Sequence, residues 1–199
     1  MKKLLIITGM LIPLFLSAQT GQQKTYFDNG KVEEEGMMKD GKREGEWKEY
    51  YESGKIFAVY QYENGMLNGQ TLAYHENGAL LGKANYVNDM EVGFFVSYNM
   101  NGEILETGTF DQQGEKVGVW EYRDYYYEDI MTDNARPVQL RSVKTEKDGE
   151  LHGVQEEYYR NGQLERREHY SNGDRDGLSV RYYENGNLAE KATVIDGEI

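Results

Sequence analysis

The chain is predicted to be all-β: a single-layer, twisted antiparallel meander of tandem 24-residue β-hairpins behind an N-terminal signal segment. Three observations predict it. A glycine turn recurs every 24 residues at Asn29-Gly30, Ser53-Gly54, Asn77-Gly78 and Asn101-Gly102, and returns at Asn161-Gly162 and Asn185-Gly186, which marks a repeat architecture. A second turn follows the same step at Asp40-Gly41, Asn64-Gly65, Asn88-Asp89, Gln113-Gly114, Asp148-Gly149, Asn172-Gly173 and Asp196-Gly197, so each period holds two strands. Apolar residues do not recur at three and four, and turn residues interrupt every 10 to 14 positions, too closely for a typical helix.

The first element is the segment Met1-Lys2-Lys3, the apolar run Leu4 to Leu16, and Ser17-Ala18-Gln19. Charged, hydrophobic and small-residue regions in that order read as a secretory signal peptide. Residues 1–18 are therefore expected to be cleaved, 19–25 to be a short linker, and 26–199 to form the repeat domain. The run is shorter than the roughly 20 apolar residues of a membrane span and contains Gly9 and Pro13, which argues against stable membrane insertion. No Cys follows Ala18 to carry a lipid. An exported protein is expected: periplasmic, cell-surface or secreted.

The chain has no Cys, so strand pairing and packing must replace the disulfides common in small extracellular folds. Its 17 Tyr suit a sheet with half-wet faces, because Tyr joins a large apolar ring to a hydroxyl that stays in water. The formal net charge is −13. Loss of Lys2 and Lys3 leaves 20 basic against 35 acidic residues, or −15, which repels nucleic acid and anionic head groups.

Each unit opens on a glycine: Gly45, Gly69, Gly93, Gly118, Gly153 and Gly177. Five residues on stand Tyr50, Tyr74, Tyr98, Tyr158 and Tyr182, with Arg123 the exception. The turn glycines Gly54, Gly78, Gly102, Gly162 and Gly186 follow. Asn-Gly predicts a tight type I′ hairpin, although a bulged three-residue loop at Glu-Asn-Gly also fits and leaves the register open. Two residues past the turn come Val32, Ile56, Leu80, Ile104, Leu164 and Leu188, and six further Met38, Tyr62, Tyr86, Phe110, Tyr170 and Val194. Even spacing puts both sets on one strand face, predicting a continuous apolar stripe with solvent on the other side. Single hairpins are marginal in water, so stability should come from stacking of neighbours.

The period has one fault. From Gly102 to Gly162 is 60 residues, two periods and 12 more. One extra residue falls around Asp111 to Gln113 and the other 11 between Tyr122 and Val138, so one hairpin carries a long loop, at about 123–138, and the array continues.

Units such as Gly45-Glu-Trp-Lys-Glu-Tyr50-Tyr-Glu-Ser-Gly54-Lys-Ile56 and Gly153-Val-Gln-Glu-Glu-Tyr158-Tyr-Arg-Asn-Gly162-Gln-Leu164 resemble the MORN repeat variant of bacterial antitoxin-component proteins, over about residues 26–199. The resemblance implies elongated single-layer sheets that serve as binding or scaffolding surfaces for proteins, with membrane or lipid contact proposed for some. It also implies neutralisation of a partner toxin as one role.

Catalysis, metal and cofactor binding are not expected. The three His, at 75, 152 and 169, have no second His or Cys at ligand spacing. His75 shares its slot with Tyr51, Asn99, Tyr159 and Tyr183, which reads as a surface strand position. Adjacent acids such as Glu156-Glu157 point to opposite faces of a strand. The Asx cluster from Asn172 to Gly177 is what tight turns require. Candidate partner-binding residues are Tyr125, Tyr126, Tyr127, Glu128 and Asp129 of the long loop, and Trp47, Phe95 and Trp120 on a sheet face. The expected function is a non-enzymatic exported module for protein interaction or scaffolding. The alternatives are an antitoxin or immunity-type protein and an envelope structural or glycan- or lipid-binding protein. A protein partner is expected, and self-association through edge strands is open.

Overall fold

The computed structural model describes residues 19–124 and 139–195. They form one antiparallel sheet of 17 strands. The strands are β1 (Gly21–Tyr26), β2 (Val32–Lys39), β3 (Lys42–Tyr50), β4 (Ile56–Glu63), β5 (Met66–Leu67), β6 (Gly69–Tyr74), β7 (Leu80–Val87), β8 (Met90–Glu91) and β9 (Gly93–Tyr98). They continue as β10 (Ile104–Phe110), β11 (Lys116–Asp124), β12 (Gln139–Lys147), β13 (Glu150–Leu151), β14 (Gly153–Tyr158), β15 (Leu164–Ser171), β16 (Asp174–Tyr182) and β17 (Leu188–Val194). Successive strands pair, except that β5, β8 and β13 pair only with the strand before them, and that strand goes on to pair with β6, β9 or β14. The predicted all-β meander of hairpin repeats is the observed fold.

The two turn series have different geometries, for different reasons. Asp40-Gly41, Asn64-Gly65, Asn88-Asp89, Asp148-Gly149 and Asn172-Gly173 have both central residues at positive φ, as in Asn64 at 53° and Gly65 at 89°. These are type I′ turns, whose twist matches the flanking strands. The Asn-Gly turns, where type I′ is expected from sequence, instead close three-residue loops. Gly30 N donates to Phe27 O (2.8 Å) and Phe27 N to Lys31 O (2.9 Å), and only Gly30, φ 81°, is left-handed. Here Asn is present for its side chain: Asn29 Oδ1 accepts from Lys31 N (2.9 Å), as Asn77, Asn161 and Asn185 do two residues on. The extra residue near Asp111 converts one I′ turn into a three-residue loop closed by Asp111 N to Glu115 O (2.9 Å).

Each unit-opening glycine is a bulge. Gly45, Gly69, Gly93, Gly118, Gly153 and Gly177 all have positive φ, and pairing skips there, Gly36 opposing Trp47 while Met37 opposes Glu44. In three units the skip splits the strand in two, as β5 and β6.

Three expectations need correction. Residues 19–25 are not a linker, since Gly21 to Tyr26 form β1 and pair with β2 from Gly21↔Met38 onward. Only half of the apolar stripe belongs to the core: Val194 is buried and Tyr62 and Phe110 pack on the Trp rings, but Ile56, Ile104 and Leu188 are exposed, because a bulge beside the repeat Tyr puts them at the strand margin. Nor is one face given to solvent. Trp47, Ala58, Ala84 and Trp120 are buried on one face, and Val96 and Val180, by strand alternation, on the other. The fault does not break the sheet, as β11 pairs with β12 from Gly118↔Glu146 to Asp124↔Gln139.

Candidate functional site

The first face carries a row of rings two residues after the opening glycines, at Trp47, Phe95 and Trp120. Each large ring has a small residue on the preceding strand. Gly36 opposes Trp47, and a Cβ on Gly36 or Gly108 would overlap the indole of Trp47 or Trp120. Phe110 packs edge-on to Trp120 at 4.9 Å, and Phe95 and Tyr122 stack beside it at 6.0 and 6.3 Å. Cations close both sites: Arg43 lies 4.4 Å from the Trp47 ring centroid and Lys116 Nζ 3.9 Å from that of Trp120. Arg43 is held by Glu34 (2.7 Å) and Tyr62 Oη (3.0 Å). Burial lowers its pKa, but those bonds outweigh burial and raise it overall.

Trp47 Nε1 donates to Met37 O (3.0 Å), a carbonyl at the bulge, and Gln155 Nε2 donates to the equivalent Thr145 O (2.8 Å). Trp47 and Gln155, in the same repeat slot, thus reach equivalent carbonyls, whereas the buried Trp120 Nε1 has no hydrogen-bond partner among the described residues. Beyond Trp120 the row turns polar, and a recess of about 110 Å³ lies among Ser142, Lys144, Gln155, Arg166, Glu168 and Tyr170. Its charges satisfy one another: Arg166 bonds Glu157 (2.6 Å), and Arg175 bonds buried Glu168 (3.2 Å).

The turn edge carries a second periodic device, which sequence reasoning missed. Tyr51 Oη donates to Tyr74 O (2.7 Å) and Tyr159 Oη to Tyr182 O (2.8 Å), each reaching the next unit. His75 Nε2 makes the same bond to Tyr98 O (2.9 Å), so it carries the proton. Asn29, Asn77 and Asn161 Nδ2 donate to the carbonyls of Glu52, Met100 and Glu184 at 3.2, 2.9 and 3.0 Å. The slot read as a bland surface position is therefore a strut between repeats. Buried Asn99, in the slot before the fault, bonds Glu103 within its own turn. The signal was legible in part: Tyr and His, which fill the slot elsewhere, share a terminal donor.

On the opposite face the repeat tyrosines end the first strands, with Tyr50, Tyr74, Tyr98, Tyr158 and Tyr182 opposing the aliphatic residues, as in Tyr50↔Ile56. Tyr50 Oη donates to Glu35 (2.6 Å), and Tyr158 Oη to Glu156. Burial first, then these bonds, push both tyrosines up to about 12. Bonds from Lys24 and then Tyr50 lower Glu35, and Tyr158 then Arg167 do so for Glu156. The same face exposes Phe94 (53%) and Val119 (57%) on strands flanking β10.

Trp120 is fully buried and Trp47 nearly so, so neither ring is presented to a partner, and Phe95 is half-buried between them. Tyr125, Tyr126, Tyr127, Glu128 and Asp129 lie outside the described residues. Among the described residues no group of three His, Asp or Glu could hold a metal ion, and no helix is long and apolar enough to cross a membrane.

Residues 19–40, 43–65, 67–88, 151–172 and 175–196, together more than half of the chain, match the family described as MORN repeat variant. The chain belongs to the MORN repeat variant family. The matched MORN repeats skip residues 89–150, yet the sheet runs through that stretch on the same hairpin plan. It contains Asn99, exposed Phe94 and Val119, and the fault. MORN repeats commonly serve as protein- or membrane-binding modules. No curated protein matches the sequence.

Proposed function

We propose that the chain is an exported, non-enzymatic interaction or scaffolding module that binds a protein partner on the face opposite the buried Trp residues. The observation that carries this reading is the exposure of Phe94 and Val119 on either side of β10, within the stretch where the repeats depart from the family pattern. Neighbouring exposed apolar side chains favour a partner that covers them, and burying each contributes about 1.5–3 kcal/mol. The 123–138 loop, with Tyr125, Tyr126 and Tyr127, adds aromatic anchors to the same module.

Crosslinking and affinity capture from the envelope of expressing cells tests it. A reproducible protein partner is expected, lost in Phe94→Ser/Val119→Ser while the circular dichroism spectrum is kept. Capture of no protein, with tight binding of a glycan or lipid instead, overturns it in favour of an envelope polymer- or lipid-binding role.

The net charge of −13 favours a second reading, masking of a basic toxin or effector. Protection of cells from a neighbouring gene product, lost on reversing Glu156 and Glu157, supports that reading. Absence of protection against every neighbour ends it.

A further inference from the structure

The struts between repeats have a direction. Asn99 apart, the donors reach the carbonyls of the unit that follows, as Tyr159 does to Tyr182 O and Asn161 to Glu184 O. The β16–β17 hairpin carries the same two donors, Tyr183 and Asn185. Among the described residues neither Tyr183 Oη nor Asn185 Nδ2 has an acceptor, and Tyr183 is 58% exposed. The β1–β2 hairpin carries the corresponding acceptors, Tyr26 O and Asp28 O, which take no side-chain donor among the described residues, and Tyr26 is 59% exposed. Among the described residues, strands β1 and β17 each have one paired neighbour, so each presents an unpaired row of backbone donors and acceptors there.

We propose that these two ends take each other, a second copy of the chain adding head to tail so that β17 of one copy pairs with β1 of the next. Both halves of the contact are present on this one chain, which is why the occupant is another copy. The register follows from the junctions inside the array. Ala58↔Ala73 with Val59↔Leu72 recurs as Gly82↔Ser97 with Lys83↔Val96, as Ser142↔Glu157 with Val143↔Glu156, and as Arg166↔Arg181 with Arg167↔Val180. Carried to the ends, it sets Glu190 opposite Thr25 and Lys191 opposite Lys24 of the next copy, Tyr183 Oη on Tyr26 O and Asn185 Nδ2 on Asp28 O. Like charges opposite one another oppose association, but Lys24 is already paired with Glu35 at 2.5 Å. Such a contact is heterologous, so it does not stop at two copies and builds open chains or rings.

The full chain, in the form the cell produces, is followed by sedimentation across a concentration series. Weight-average mass is expected to rise past that of a dimer. Tyr183→Phe/Asn185→Asp removes both donors and keeps the Asn185 Oδ1 bond to Asn187 N that shapes the turn. Two lost hydrogen bonds should weaken each junction roughly tenfold or more. Because the chain has no Cys, Lys24→Cys/Lys191→Cys adds the only thiols, and oxidation should yield a ladder of multimers joined 24 to 191. A monomer at every concentration, a plateau at the dimer with 191-to-191 links, or association unchanged in the double variant would each overturn the proposal.

Discussion

Gly108→Ala should be among the most damaging single-methyl changes in this sheet. A Cβ at Gly108 falls among Cδ2, Cε2 and Cε3 of Trp120. The indole cannot retreat without leaving Phe110 at 4.9 Å, Phe95 at 6.0 Å and the Lys116 ammonium at 3.9 Å. Backbone conformation is not the obstacle, since Gly108 is absent from the positive-φ glycines, and in an open strand Ala would be preferred by about 0.5–1 kcal/mol. Against that small gain stand about 1–3 kcal/mol for overpacking and, if the ring is displaced, part of the roughly 3–5 kcal/mol a buried Trp contributes. The net expectation is a loss of about 2–4 kcal/mol. Urea unfolding followed by far-ultraviolet circular dichroism reads it, and with a slope near 2 kcal/mol per molar the midpoint should fall by about 1–2 M. The neighbouring repeat supplies the compensating pair, because Ala84 stands one residue beyond the Lys83↔Val96 pair, beside the smaller Phe95. Gly108→Ala/Trp120→Phe should therefore be less damaged than the sum of its singles by about 1 kcal/mol or more. An unchanged or higher midpoint for Gly108→Ala would refute flat packing of the indole on the glycine.

Other consequences follow from the struts and the tyrosine–carboxylate pairs. Tyr51→Phe and Tyr159→Phe each remove one hydrogen bond to the next unit and should each cost about 1 kcal/mol in the same assay. Tyr183→Phe should leave the stability of a dilute sample unchanged. Tyr50 and Tyr158, pushed up to about 12 from 10, contribute stability that is complete below pH 10 and lost as pH rises from 10 towards 12. That loss amounts to about 2 kcal/mol for each pair, and Tyr50→Phe should flatten the alkaline stability profile. Glu35 and Glu156 are lowered, so their contribution is present above pH 4.5 and lost as pH falls through their folded values. Acid titration of stability should be shallower in Glu35→Gln.

The repeat, the strand order and the survival of the array across its fault are local properties, and the sequence alone determined them. A glycine or Asx turn every 12 or so residues leaves a chain little besides adjacent antiparallel pairing, so counting from Gly30 to Gly186 suffices. The extra residue near Asp111 was equally countable, and the structure shows it as one longer turn. What counting could not decide depends on pairing. Whether Asn29 serves a type I′ turn or caps a three-residue loop depends on which backbone groups pair to close it, Phe27 N on Lys31 O and Gly30 N on Phe27 O. Face assignment depended on the bulges at Gly45 and its equivalents and beside the repeat tyrosines, each of which offsets the period of two. That offset is why the aliphatic positions lie at the margin and the Trp rings lie inside. Trp120, chosen from sequence as a possible anchor, is covered by side chains from β9, β10 and β11, a closure that only the assembled sheet makes. Tyr183 and Asn185 show the same division: their types are written in the repeat, and only the finished array leaves them without acceptors among the described residues.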